Sequence, residues 1–181
     1  TISVVFLAMV YLPTESIILP KYFSDIEDPR GLGYVLSSMA AGGIASTLAY
    51  PRLVKRFKKR SIVMGSLAAT AIAMIPMTFF PPIGLFVLAG FILGLGWGPM
   101  NPLMNSMVQQ RVAPHVQGRV FGVQTSLFYA SGPIGMFVTG VSVDAFGVRP
   151  VYIAAVSILI VFQLFIMFLP DLHDLDREAQ Y

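Results

Sequence analysis

The sequence predicts an all-α integral membrane protein of six transmembrane helices, and three observations lead there. Of its 181 residues, 56% are hydrophobic and only 12% are charged, about half the charged share of a soluble domain, which is roughly 25%. Mean hydropathy is +0.75, which also excludes a disordered chain, since disorder needs low hydrophobicity and high net charge. The charges are gathered between long uncharged runs: Thr1–Thr14, Gly31–Pro51, Ser61–Gln110, Val120–Val143 and Pro150–Pro170. A helix needs about 20 apolar residues to cross the hydrocarbon core.

The first run continues past Glu15 through Ser16–Pro20, which predicts a span near 1–23. The second run gives a span near 33–53. The third would make a helix of about 75 Å, more than twice the membrane thickness. It must turn back, and Pro81-Pro82 supplies the turn because proline lacks the amide donor and clashes with the preceding helical turn. Two spans follow, near 61–80 and 82–109. The last runs give spans near 119–143 and 150–169, leaving a tail of residues 171–181. A β-barrel is disfavoured, since barrel strands alternate in polarity while Ile158–Phe162 is apolar on every face. The chain starts directly in apolar sequence, without Met or a basic leader, which predicts a piece of a longer protein.

Six spans place five connections and two ends on alternating sides. Arg52, Lys55, Arg56, Lys58, Lys59 and Arg60 fall on one side, together with Arg111, Arg119 and Arg177. Lys21, Arg30 and Arg149 fall on the other. Lys and Arg are held in the cytoplasm, so the split of nine to three predicts a multi-pass plasma-membrane protein with a cytoplasmic C-terminus. The 52–60 cluster reads either as a topology anchor attracted to anionic lipid or as a moving loop. A nucleic-acid partner is not expected, since neither a basic domain nor interleaved aromatics are present.

Within the spans, Glu15 is the one clear ionisable residue. A carboxyl at that depth faces a bundle interior or water. It either carries a proton or accepts hydrogen bonds in an outer vestibule. Tyr11, one turn earlier, shares its face, and Pro13 and Pro20 bracket it. Trp97, Asn101, Asn105 and Gln109 follow one another at i+4 along the fourth span, and such amides either bond neighbouring helices or line a wet path. Gln124 and Ser131 share a face of the fifth span. Ser131-Gly132-Pro133-Ile134-Gly135 is expected to interrupt that helix, with Gly132, Pro133 and Gly135 serving as packing or hinge positions. Met is abundant and reads as packing or lipid contact. His115 and His173 read as solvated.

With no cysteine, two histidines and no phosphate-cradling loop or catalytic triad, the sequence predicts neither an enzyme nor a metal or cofactor site.

Several motifs go further. Pro51-Arg52-Leu53-Val54-Lys55-Arg56-Phe57-Lys58-Lys59-Arg60 resembles the loop pattern G-R-L-x-D-R-x-G-R-R of the major facilitator superfamily. Arg52, Arg56, Lys59 and Arg60 match, while Pro51, Lys55 and Lys58 replace its glycine, aspartate and second glycine. Val112-Ala113-Pro114-His115-Val116-Gln117-Gly118-Arg119-Val120-Phe121-Gly122, Gly132-Pro133-Ile134-Gly135 and Val143-Asp144-Ala145-Phe146-Gly147 resemble the macrolide and siderophore exporter branch. The resemblance covers essentially the whole chain and implies the C-terminal half of a twelve-helix transporter. In that fold each half consists of two inverted three-helix repeats, and the substrate site lies between the halves near the midplane.

The implied function is proton-coupled efflux of small amphipathic compounds by alternating access, with a small-molecule substrate, a proton, the lipid bilayer and a missing N-terminal six-helix half as partners. Tyr11, Glu15, Trp97, Asn101, Asn105 and Gln124 are then candidates for proton or substrate binding. Arg52, Arg56, Lys59, Arg60, Arg111, Gly118 and Arg119 are candidates for the cytoplasmic gate. Two rivals stand beside this reading. One is uptake or lipid translocation on the same scaffold; the other is a non-transporting scaffold or receptor, which needs no aligned polar interior.

Overall fold

A computed structural model describes residues 9–79 and 82–167, and all secondary structure among them is helical. We number the helices α1 (residues 9–25), α2 (Pro29–Arg56), α3 (Lys59–Met77), α4 (Ile83–Trp97), α5 (Met100–Arg111), α6 (Pro114–Phe146) and α7 (Val148–Met167). Among the described residues, five stretches are long and apolar enough to cross a membrane, with α4 and α5 counted as one broken span over Ile83–Gln110. The N-terminal part of the span expected near 1–23 and the 171–181 tail lie outside the described residues.

The helix boundaries follow from local chemistry. Asp28 accepts a hydrogen bond from the Gly31 amide at 2.9 Å, with Pro29 as the first residue of α2. An aspartate cap followed by proline is a strong start signal, because both answer the orphan amides of the first turn. The bend into α2 places Glu27 at φ 54°, a left-handed conformation that costs a residue bearing a Cβ. Lys21 and Asp25, one turn apart, form an exposed ion pair at 2.5 Å, worth little at the surface.

Three local expectations change. The 52–60 segment is mostly helical: α2 runs to Arg56, α3 begins at Lys59, and only Phe57 and Lys58 interrupt. Lys and Arg are good helix formers, so charge density did not enforce a loop. Similarly, Gly118 and Arg119 lie inside α6, which begins at Pro114. The 131–135 segment does not interrupt α6, which continues through Pro133 to Phe146. Proline there removes the amide that would bond the Tyr129 carbonyl, a loss that membrane helices tolerate. Nearby, Ser131 donates to the Phe128 carbonyl at 2.7 Å.

The described chain divides into two compact units. The first joins the described residues of Thr1–Gly33 to Asn105–Leu159. The second joins those of Tyr34–Met104 to those of Ile160–Tyr181.

In the second unit, small residues bring α2, α3 and α4 together. A Cβ added to Gly42 would meet the Phe91 backbone, one on Gly94 would meet Met39 and Gly43, and one on Gly96 would lie 2.8 Å from the Ser66 carbonyl oxygen. Lipid is as apolar as leucine, so membrane helices associate through such close packing and through hydrogen bonds. Ser46 donates to the Gly43 carbonyl at 3.1 Å and lies 3.4 Å from that of Gly94. Leu67, Met74, Met77, Phe86 and Leu93 are buried around this contact.

Candidate polar site and basic segments

In the first unit, α1 departs from regular helix at its polar residues. Thr14–Ile18 form a π-helical turn in which the Leu19 amide bonds back to the Thr14 carbonyl. Pro13 and Pro20 flank it and deny the ladder two amides, which favours a local change of register. Thr14 is fully buried and donates its hydroxyl to the Val10 carbonyl at 2.8 Å. Glu15 lies within the π turn and is half-buried. Tyr11 is buried, and its side chain hydrogen-bonds with that of Glu15. A phenol donating to a carboxylate is a charge-assisted bond, stronger than a neutral pair.

This turn rests on the smallest part of α6. A Cβ added to Gly132 would lie 3.1 Å from the Leu12 side chain, and one on Gly135 would lie 2.6 Å from the Met9 carbonyl oxygen. Ser131, Gly132 and Gly135 are buried. The turn of α1 just before Glu15 is therefore held against the glycine face of α6, and the π turn itself also touches α6.

Gln124 occupies a second place in the same unit. With Arg119 it lines a recess of about 310 Å³, whose other walls are Val108, Val120, Val123 and Leu127. A predicted gate residue and a predicted binding residue thus share one concavity. Asn105 is exposed on α5.

The stripe from Trp97 to Gln109 is broken. Trp97 ends α4, residues 98–99 form a turn, and α5 begins at Met100. Pro99 and Pro102 lack the amides that would continue the ladder. Asn101, Asn105 and Gln109 keep their i+4 spacing on α5 and are exposed. Trp97 and Asn101 belong to the second unit, whereas Tyr11, Glu15, Asn105 and Gln124 belong to the first.

Of the remaining gate candidates, Arg52 and Arg56 are exposed at the end of α2, where cations suit the negative end of the helix dipole. Lys59 and Arg60 are half-buried in the first turn of α3, and Arg111 is the last residue of α5.

Three polar residues escaped the sequence reading. Gln117 donates through Nε2 to the carbonyls of Val112 at 2.9 Å and Gln109 at 3.3 Å. It thereby closes the C-terminal end of α5, whose carbonyls have no intrahelical donor. Thr47 donates to the Gly98 carbonyl at 3.1 Å. Gln163, buried in α7, has an Nε2 with no hydrogen-bond partner. The i+4 alternation would have exposed Gln163 as a lone amide in the apolar last run, whereas Gln117 and Thr47 carry no such signal.

Residues 1–136 match the family model described as Major Facilitator Superfamily. The chain is 36% identical, over 94% of its length, to a protein named multidrug efflux pump Tap from Mycobacterium tuberculosis (strain ATCC 25618 / H37Rv). It is 33% identical, again over 94% of its length, to the multidrug efflux pump Tap of Mycolicibacterium fortuitum. A Bacillus subtilis (strain 168) protein named uncharacterized MFS-type transporter YfnC is 30% identical over 67% of the chain and is covered over 29% of its own length. The chain spans 41% and 42% of the two efflux pumps.

Proposed function

Because this chain belongs to the major facilitator superfamily, we propose that it is the C-terminal half of a proton-coupled pump that exports small amphipathic compounds by alternating access. A six-helix N-terminal half supplies the other wall of the substrate path. The similarity to proteins named multidrug efflux pumps supports export. The nine-to-three distribution of Lys and Arg supports a plasma-membrane location with the 52–60 segment and the C-terminus in the cytoplasm.

The observation that carries the coupling is the Tyr11–Glu15 hydrogen bond on a π turn. An ionised carboxylate only accepts hydrogen bonds, whereas the protonated acid also donates one. Proton uptake on Glu15 thus weakens a charge-assisted bond from Tyr11 and cancels a charge that is costly within a membrane. The π turn touches α6, and the preceding turn of α1 packs on Gly132 and Gly135, so the change passes to α6. Gln124 and Arg119 line the recess further along α6 and offer an amide and a guanidinium to a polar group on the substrate. Asn105, in the same unit, adds an exposed amide on α5.

The test is drug efflux from proteoliposomes under an imposed pH gradient, comparing the native pump with Glu15→Gln. Loss of gradient-driven efflux with drug binding retained is the expected result. Unchanged flux and unchanged pH dependence would remove Glu15 from the mechanism. Reversing the gradient in the same vesicles assigns the direction of transport.

A further inference from the structure

A second concavity lies entirely in the second unit and plays no part in the pathway above. It is a cleft of about 390 Å³ that runs between α2 and α3 and is closed by α4. Ala49, Leu53 and Phe57 form one wall, Ser61 and Gly65 the other, and Leu95 lies behind. Its lining is almost wholly apolar. It extends from Ala45 on α2 to Phe57, just past the helix end, a rise of about 18 Å, more than half the thickness of the hydrocarbon core.

At the mouth of this cleft the apolar wall and the cations come from the same turns of chain. Leu53 and Phe57, one turn apart, line it. Arg52, Lys55 and Arg56 are exposed and lie on the same two turns of α2, and Lys58 is exposed just beyond. Nothing acidic in the neighbouring sequence balances them. No Asp or Glu occurs between Asp28 and Asp144, and the only charges from residue 34 to residue 104 are these four cations with Lys59 and Arg60.

We infer that this cleft is a binding site for an anionic phospholipid, with one acyl chain between α2 and α3 and the phosphate head on Arg52, Lys55 and Arg56. Apolar walls of that length take a hydrocarbon chain, and a cluster of cations at its end takes a phosphodiester. A topology anchor needs the charges alone. The combination of charges with a hydrocarbon-shaped groove sets this surface apart.

The site is tested with the delipidated protein in neutral detergent. Binding of dioleoyl phosphatidylglycerol, dioleoyl phosphatidylcholine and inorganic phosphate is followed by native mass spectrometry. The anionic lipid should bind at least about tenfold tighter than the zwitterionic one, since each basic residue contributes on the order of fivefold. Inorganic phosphate should not displace it. The triple change Arg52→Gln, Lys55→Gln, Arg56→Gln should abolish the preference between the two lipids. Gly65→Leu places a side chain in the cleft at a position where a Cβ meets nothing within 4 Å. It should weaken the anionic lipid by about tenfold or more while the thermal transition is kept.

Unchanged lipid affinity in Gly65→Leu would reduce the surface to bare charge attraction and overturn the proposal. So would displacement by inorganic phosphate, which would assign the cations to a free anion. Lipid binding that emerges only after removal of residues 171–181, which carry Asp171, Asp174, Asp176 and Glu178, would assign the cleft to the acidic tail instead.

Discussion

The hydroxyl of Thr47 donates to the carbonyl of Gly98 at 3.1 Å, and that carbonyl is the one Pro102 leaves without a donor in the α-helical register. The break between α4 and α5 is therefore repaired from a neighbouring helix, as membrane proteins do where proline frees a backbone group. Thr47→Val keeps the shape and removes the donor. It should destabilise the detergent-solubilised protein by about 0.5–1.5 kcal/mol, with Thr47→Ser close to native, as read from thermal unfolding monitored by circular dichroism.

Gly135 and Gly140, five residues apart on α6, should respond in opposite ways to the same substitution. A Cβ at Gly135 would lie 2.6 Å from the backbone oxygen of Met9, while one at Gly140 meets nothing within 4 Å. A backbone atom cannot swing aside as a flexible side chain does, so Gly135→Ala must push α1 away. The cost expected is about 1–3 kcal/mol. Gly140→Ala should be neutral or slightly stabilising, since alanine is the better helix former. Equal thermal stabilities for the two variants would contradict the close approach of α1 to α6.

The all-helical, membrane-spanning class was legible because it rests on one strong signal, uncharged runs of membrane length. The cap at Asp28 and Pro29 went unread, since the span was drawn from near 33 while α2 begins at Pro29. What the sequence concealed depends on partners distant along the chain. Pro133 looks like a break by its own chemistry, yet α6 runs through it, with Gly132 and Gly135 packed against α1 on either side. The stripe from Trp97 to Gln109 assumed one continuous helix, and two prolines within it defeat that assumption. The Tyr11–Glu15 spacing of one turn was visible, but the π turn beneath it arises from Pro13 and Pro20 acting together. Gln117 shows no periodic signal at all, because its role is to reach back across a loop.

Gln163 gives a prediction of opposite sign to the Thr47 and Gly135 variants. Its amide is buried in α7 and its Nε2 has no partner, so an apolar residue of similar volume should be better tolerated than the native one. Removing an unsatisfied buried donor recovers a desolvation penalty of roughly 1–3 kcal/mol. Gln163→Met should raise the melting temperature of the detergent-solubilised protein. A lowered melting temperature would mean that the amide is bonded in the assembled pump.

Tyr11 separates proton handling from simple packing. Tyr11→Phe keeps the ring in its buried place and removes only the hydroxyl that bonds Glu15. If the hydroxyl serves as a structural strut, the variant loses stability and its transport falls equally at every pH. If it holds the Glu15 carboxyl in place for coupling, removing it uncouples transport from the gradient without unfolding the protein, because a charge-assisted bond is lost while the ring stays. The expected result is gradient-driven efflux reduced by about threefold or more, with drug binding and thermal stability close to native. It is measured as initial efflux rates from proteoliposomes with and without an imposed gradient, and a loss of stability with equal loss of both rates would leave Tyr11 as packing alone.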